Sequence, residues 1–162
     1  MTAADRNAHR PGGRTFAAIA VAGGLAAFLV SPHAPLGRLV WPETVQLNPA
    51  PAGVQVGLFT LIGAIEALAF GAGLAVLLLG REPIRRLFGP ARTGLAAATH
   101  LSVFWLLWSW WLHVAMHTTS GLRPGRVLAI EYAFHASSIA AAAVLAYALS
   151  RLGAATADTS AR

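Results

Sequence analysis

Four ionisable side chains fall at regular spacing inside two of the most apolar stretches of the chain. His113 and His117 occur in WWLHVAMH, and Glu131 and His135 occur in IEYAFH. Each pair is spaced i, i+4, which places both members on one face of a helix. The intervening TTSGLRPGR is short enough to make the two helices antiparallel neighbours and to bring both pairs to the same end. A fifth ionisable group, Glu66, lies alone in GAIEALAF. An ionisable group in an apolar span is costly, so it normally faces a bundle interior and marks function.

Three kinds of chemistry use such a set. Imidazole nitrogen suits Zn, Cu, Fe and Ni, and a carboxylate compensates the charge of the ion. On that reading His113, His117, Glu131 and His135 are the metal ligands, and Glu66 completes the site or acts as its catalytic base. The ion expected is copper or iron, in redox chemistry or metal handling. A di-iron site built like those of soluble bundles is disfavoured, because those use Glu-x-x-His pairs and more carboxylates. A b-type haem is the second kind. It needs two axial histidines on facing helices, with His113 or His117 opposite His135, in an electron-carrying or quinone-linked subunit. The third kind needs no cofactor: buried Glu and His acting as acid and base on an isoprenoid-like lipid, sterol or quinone. A purely structural network, with Glu and His holding helices together, is the bland alternative.

Cysteine is absent, so any metal held by this chain is held through nitrogen and oxygen. No P-loop, dinucleotide fingerprint, G-x-S-x-G or HEXXH occurs, which removes ATP-driven transport and the serine and zinc-protease chemistries.

The elements that must position these residues are membrane spans. The 162 residues are 56% hydrophobic and 11% charged, against about 25% charged in a soluble domain. Four apolar segments stand out, at about 16–30, 54–79, 95–116 and 127–149. The last three reach the roughly 20 residues that cross a hydrocarbon core. The first is short and follows Arg6, Arg10 and Arg14, so a signal peptide is its rival reading. The sequence after Val30 lacks a clear small-x-small cleavage site, and an uncleaved span is expected.

All 12 basic residues are arginine, against 6 acidic residues. Arg6, Arg10, Arg14, Arg81, Arg85, Arg86, Arg92, Arg151 and Arg162 fall on one side of the spans. Arg38, Arg123 and Arg126 fall on the other. The positive-inside rule then puts both termini in the cytoplasm and residues 31–53 outside. The fold expected is an all-α integral membrane four-helix bundle in a bacterial inner membrane. Residues 1–14 and 153–162 read as disordered. The arginines sit at span ends, where they meet headgroups, and no basic stripe implies nucleic acid. The expected partners are the bilayer and a second membrane subunit or copy of the chain.

Depth supports one site. At ~1.5 Å per residue, His113 lies ~6 Å below His117 at the outer end, Glu131 ~6 Å and His135 ~12 Å inside the fourth span, and Glu66 ~13–18 Å inside the second. His100 is thirteen positions before His113, roughly on the opposite face, and reads as structural. His33 in the outer loop is a possible extra ligand, Glu43 reads as solvated, and Ser138 as a hydrogen-bond donor behind the ligands. Gly57, Gly63, Gly71 and Gly73 allow close helix approach in the second span. Trp105, Trp108, Trp110 and Trp111 surround the third, with some turned towards His113.

The stretch WWLHVAMHTTSGLRPGRVLAIEYAFHASSI, together with GAIEALAFGAG, resembles an uncharacterised family of bacterial four-span membrane proteins. The resemblance covers spans two to four. It implies that Glu66, His113, His117, Glu131 and His135 act as one set, and it implies no activity.

Overall fold

A computed structural model describes residues 12–42, 44, 50–120 and 123–160. The described residues are mostly helical, with turns between the helices and no strand among them. In chain order they form α1 (Gly13–Leu29), the single-turn α2 (Gly37–Val40), α3 (Val54–Leu79), α4 (Arg81–Phe88), a 3₁₀ turn at Pro90–Arg92, α5 (Thr93–Ser120) and α6 (Pro124–Ser160). Segments Val54–Leu79, Pro90–Thr119 and Pro124–Leu152 are long and apolar enough to cross a membrane. The apolar α1 is shorter, at 17 residues. Their outward faces are apolar: Phe59, Leu61, Ile62 and Ile65 on α3 are each more than half exposed. Such a surface is stable in lipid and not in water.

The helices run past the boundaries expected from hydropathy. α5 continues to Ser120 and α6 begins at Pro124. Proline suits a helix start, because its missing N–H has no partner there anyway. α6 carries a helical backbone to Ser160, where an irregular tail was expected from Gly153. Of the N-terminal stretch expected to be disordered, Gly13 and Arg14 already open α1, and 1–11 lie outside the described residues.

Each long helix packs on the next in sequence: α1 on α3, α3 on α5, α5 on α6. Among the described residues α1 and α6 share no extensive contact, so the extensive contacts run along a row. The α1–α3 contact depends on small residues. A Cβ on Gly71 would strike the Ala20 carbonyl oxygen and the Gly24 nitrogen, and one on Gly24 would lie 3.1 Å from the Leu68 Cα. Gly73 lets Trp108 approach from α5, where a Cβ would meet the tryptophan backbone at 3.1 Å. Gly57 and Gly63, expected to pack, have nothing within 4 Å of a Cβ.

The two faces of α5 do different work. His100, Trp108 and Trp111 meet α3: the His100 Nε2–H donates to the Val76 carbonyl at 2.8 Å, and Phe70 packs on both tryptophan rings. This gives His100 the structural role expected of it. About 200° round the helix from Trp111, His113 faces α6. Ser31 ties the loop to this frame. Its Oγ accepts from the Trp111 Nε1–H at 2.9 Å and donates to the Ala27 carbonyl. Trp41 donates to the Val30 carbonyl at 3.0 Å and sets its ring against Trp111.

Candidate metal centre

The α5–α6 pair is antiparallel, and its polar centre lies near the connecting turn. His113 and His117, one helical turn apart on α5, direct their Nε2 atoms to a common point, 3.1 Å from one another. Glu131 meets them from α6. Its Oε1 is 3.0 Å from His117 Nε2, and its Oε2 is 3.6 Å from His113 Nε2. One ligand atom from each of His113, His117 and Glu131 falls within a 4.8 Å cluster. All three residues are half-buried.

These separations suit one ion. With metal–nitrogen bonds of ~2.0–2.1 Å, two imidazoles on one ion have nitrogens ~2.9–3.4 Å apart, from a right-angled to a tetrahedral arrangement. The observed 3.1 Å lies inside that range. Two imidazoles and one carboxylate, drawn from adjacent helices, also leave positions on the ion for water or substrate.

His135, also expected as a ligand, stands outside this group of three. Its Nδ1–H donates to the Glu131 carbonyl oxygen at 2.8 Å and lies 3.0 Å from the Glu131 carboxylate. A proton on Nδ1 leaves the lone pair of Nε2 free. The ring is 61% exposed. Through Nδ1 the residue holds Glu131.

Glu66 is not brought to the cluster either. It shares the side of α3 that carries Phe70 and Gly73, seven residues and two turns along, and that side faces the Trp108 and Trp111 face of α5. The histidines leave α5 on the opposite side. Among the described residues its carboxylate has no hydrogen bond or ion pair. His33 is exposed on the loop and stays out of the cluster. Glu43 lies outside the described residues.

Phe134 and Ser109 escape a reading of the sequence, and Trp110 is the tryptophan that turns towards His113. Phe134 lies flat on the His113 ring, centroids 3.9 Å apart and planes 8° from parallel. Trp110 closes the corner, edge-on to Phe134 at 5.0 Å and to His113 at 6.5 Å. It is the one tryptophan of the four whose ring packs on the cluster. Ser109, one turn from His113 on the same stripe, is 2% exposed. Its Oγ and the His113 Nδ1 are both buried without a hydrogen-bond partner. The only signal for these residues was spacing: Phe134 follows Glu131 by three, and Ser109 precedes His113 by four. Ser138, expected to donate behind the ligands, has a buried and unpartnered hydroxyl. Its neighbour Ser137 instead accepts from the Trp105 Nε1–H at 3.0 Å.

A bis-histidine haem does not fit this arrangement. Axial nitrogens at ~2.0 Å from iron would stand ~4 Å apart with the macrocycle between them. Here the histidines of α5 converge on one another, Phe134 covers the His113 face, and His135 turns its Nδ1 to Glu131.

Compared with protein-family models, curated proteins and solved structures, the chain gives no match. This agrees with its resemblance to a family without an assigned activity, and the geometry alone carries the functional reading.

Proposed function

We propose that this chain is an integral membrane protein that holds a single divalent transition-metal ion between His113, His117 and Glu131. The observation that carries the reading is the convergence of two imidazole nitrogens and a carboxylate oxygen within one ion's reach. Two histidines and one carboxylate with further positions open form the donor set of non-haem iron(II) sites, so iron is favoured over copper. When bound, such an ion supplies one-electron redox chemistry. The chain's own residues bind and orient: Phe134 and Trp110 fix the His113 ring, and His135 fixes Glu131.

The rest of the arrangement follows from the arginines. In this reading α1, α3, α5 and α6 all span a bacterial plasma membrane. The ends rich in arginine, with both termini, face the cytoplasm, and the metal centre lies in the outer half. The large apolar surface of an open row leaves room for a partner subunit or a second copy.

X-ray absorption at the metal edge tests the reading on protein purified in detergent without chelator. Two imidazoles and a carboxylate in the shell of the ion are expected. A shell of light oxygen donors alone, as an adventitious surface ion gives, would exclude the site. A second reading is supported by the contacts His113–Glu131 and His117–Glu131, which link α5 to α6 without any ion. It predicts that His113 and His117 variants lose thermal stability and change no bound species.

A further inference from the structure

The opposite end of the row carries a second feature that the metal centre does not use. α3 stops at Gly80, and α4 runs on as REPIRRLF, with a proline at its third position that cannot continue the hydrogen-bond ladder of α3. The short helix is amphipathic. Ile84 and Phe88, one turn apart, pack with Leu95 and Ala96 of α5 and Ala148 and Leu152 of α6. This contact lays α4 across the ends of the spans. Arg86 lies opposite these two side chains, Arg85 to their side, and Arg81 at the start of the helix on their own stripe.

Residues Arg81 to Arg86 border a half-open cleft of about 1100 Å³. Its walls come from three other helices: Phe16 of α1, Val76, Leu78 and Leu79 of α3, and Val103 of α5. The arginines of α4 line its rim. They are pre-arranged. Arg85 grips Glu82 through Nε at 2.8 Å and Nη2 at 3.1 Å, and Arg86 donates to the same carboxylate through Nε at 2.9 Å. Two hydrogen-bonded guanidinium groups hold the Glu82 carboxyl well below its ordinary range, so one fixed negative charge faces three positive ones. Arg81 makes no ion pair among the described residues.

We propose that this cleft is a binding site for an anionic phospholipid. The phosphate sits against Arg81 and Arg86, whose planar N–H forks match phosphate oxygens. An acyl chain runs along Leu78, Leu79 and Val103. Charge selects the lipid: the net positive rim favours an anionic headgroup over a zwitterionic one, and an apolar cleft favours a molecule with a tail over a free anion. The site rests on the membrane reading of the spans and is independent of the metal centre.

Native mass spectrometry of the full chain in detergent tests it, with phosphatidylglycerol, phosphatidylcholine and inorganic phosphate as probes. Wild type is expected to retain one phosphatidylglycerol at least ten-fold more strongly than phosphatidylcholine. Inorganic phosphate at the same concentration should not displace it. Arg81→Ala with Arg86→Ala should remove the ten-fold preference, and Arg151→Ala, an exposed arginine elsewhere, should keep it. Equal retention of the two lipids, displacement by inorganic phosphate, or an unchanged preference in the double variant would each overturn the proposal. Flotation of every variant with phosphatidylcholine vesicles separates loss of this site from loss of folding or membrane insertion.

Discussion

The Nε2 atoms of His113 and His117 lie 3.1 Å apart, and both face the Glu131 carboxylate. Two imidazoles one turn apart on a helix do not have to converge. They do so here because Phe134 lies flat on one ring and Trp110 stands at its edge. Phe134→Ala should therefore loosen the His113 ring without removing a ligand. The expected result is metal affinity lowered by about 10–100-fold, the usual cost of losing an orienting partner. Titration of the apo protein with iron(II) or zinc reads the change.

His135 and Glu131 separate positioning from ligation. His135→Ala should weaken metal binding by a similar factor of about 10–100 and leave the stoichiometry intact at saturating metal. Glu131→Ala should lower the stoichiometry itself. Equal loss in both variants would return His135 to the ligand set.

Glu66 provides the opposite test. Its helix meets the far face of α5, away from the histidines, so Glu66→Gln should leave metal content and affinity unchanged. A lost metal in that variant would mean that α3 reaches the cluster after all.

Glycine positions on α3 make a prediction about stability. Gly71→Ala places a methyl group against the Ala20 carbonyl of α1, and overpacking of this kind costs on the order of 1–3 kcal/mol. Gly57→Ala and Gly63→Ala meet open space. They should be neutral, or stabilising by about 0.5–1 kcal/mol from the lower backbone entropy of alanine. Thermal melts in one detergent compare the three variants.

Three helices long and apolar enough to cross a membrane were legible from hydropathy alone, because a run of apolar residues has few other uses. So was the pairing of His113 and His117 with Glu131, since the i, i+4 spacing and the short turn leave little freedom. That Glu66 and His135 fall outside the cluster of three was not legible. Depth along a span follows from counting residues. Which face of α5 meets α3 depends on packing partners such as Gly73 with Trp108, and those are set in three dimensions. Tautomer and hydrogen-bond direction at His135 likewise depend on a backbone carbonyl that spacing does not reveal.

Charge at the other end gives a pH prediction. Hydrogen bonds from Arg85 and Arg86 lower the Glu82 pKa from 4.5 to about 2. A depressed carboxyl stabilises the folded form above the unfolded pKa and loses that effect as pH falls. The stability these pairs add should thus be constant from pH 8 to pH 5 and fade between about 4.5 and 2, with the pairs themselves breaking near pH 2. Being exposed, they add little to global stability. Carboxyl-carbon NMR of labelled Glu82 follows the titration directly, and a midpoint near 4.5 would show that the pairs do not form.

The most direct test is metal stoichiometry by mass spectrometry of the element, on wild type and on His113→Ala with His117→Ala, each purified without chelator and loaded in parallel with iron(II). About one ion per chain is expected in wild type and none above background in the double variant, with both proteins folded. Equal metal in the two proteins, or none in wild type after loading, would contradict a metal centre at His113, His117 and Glu131.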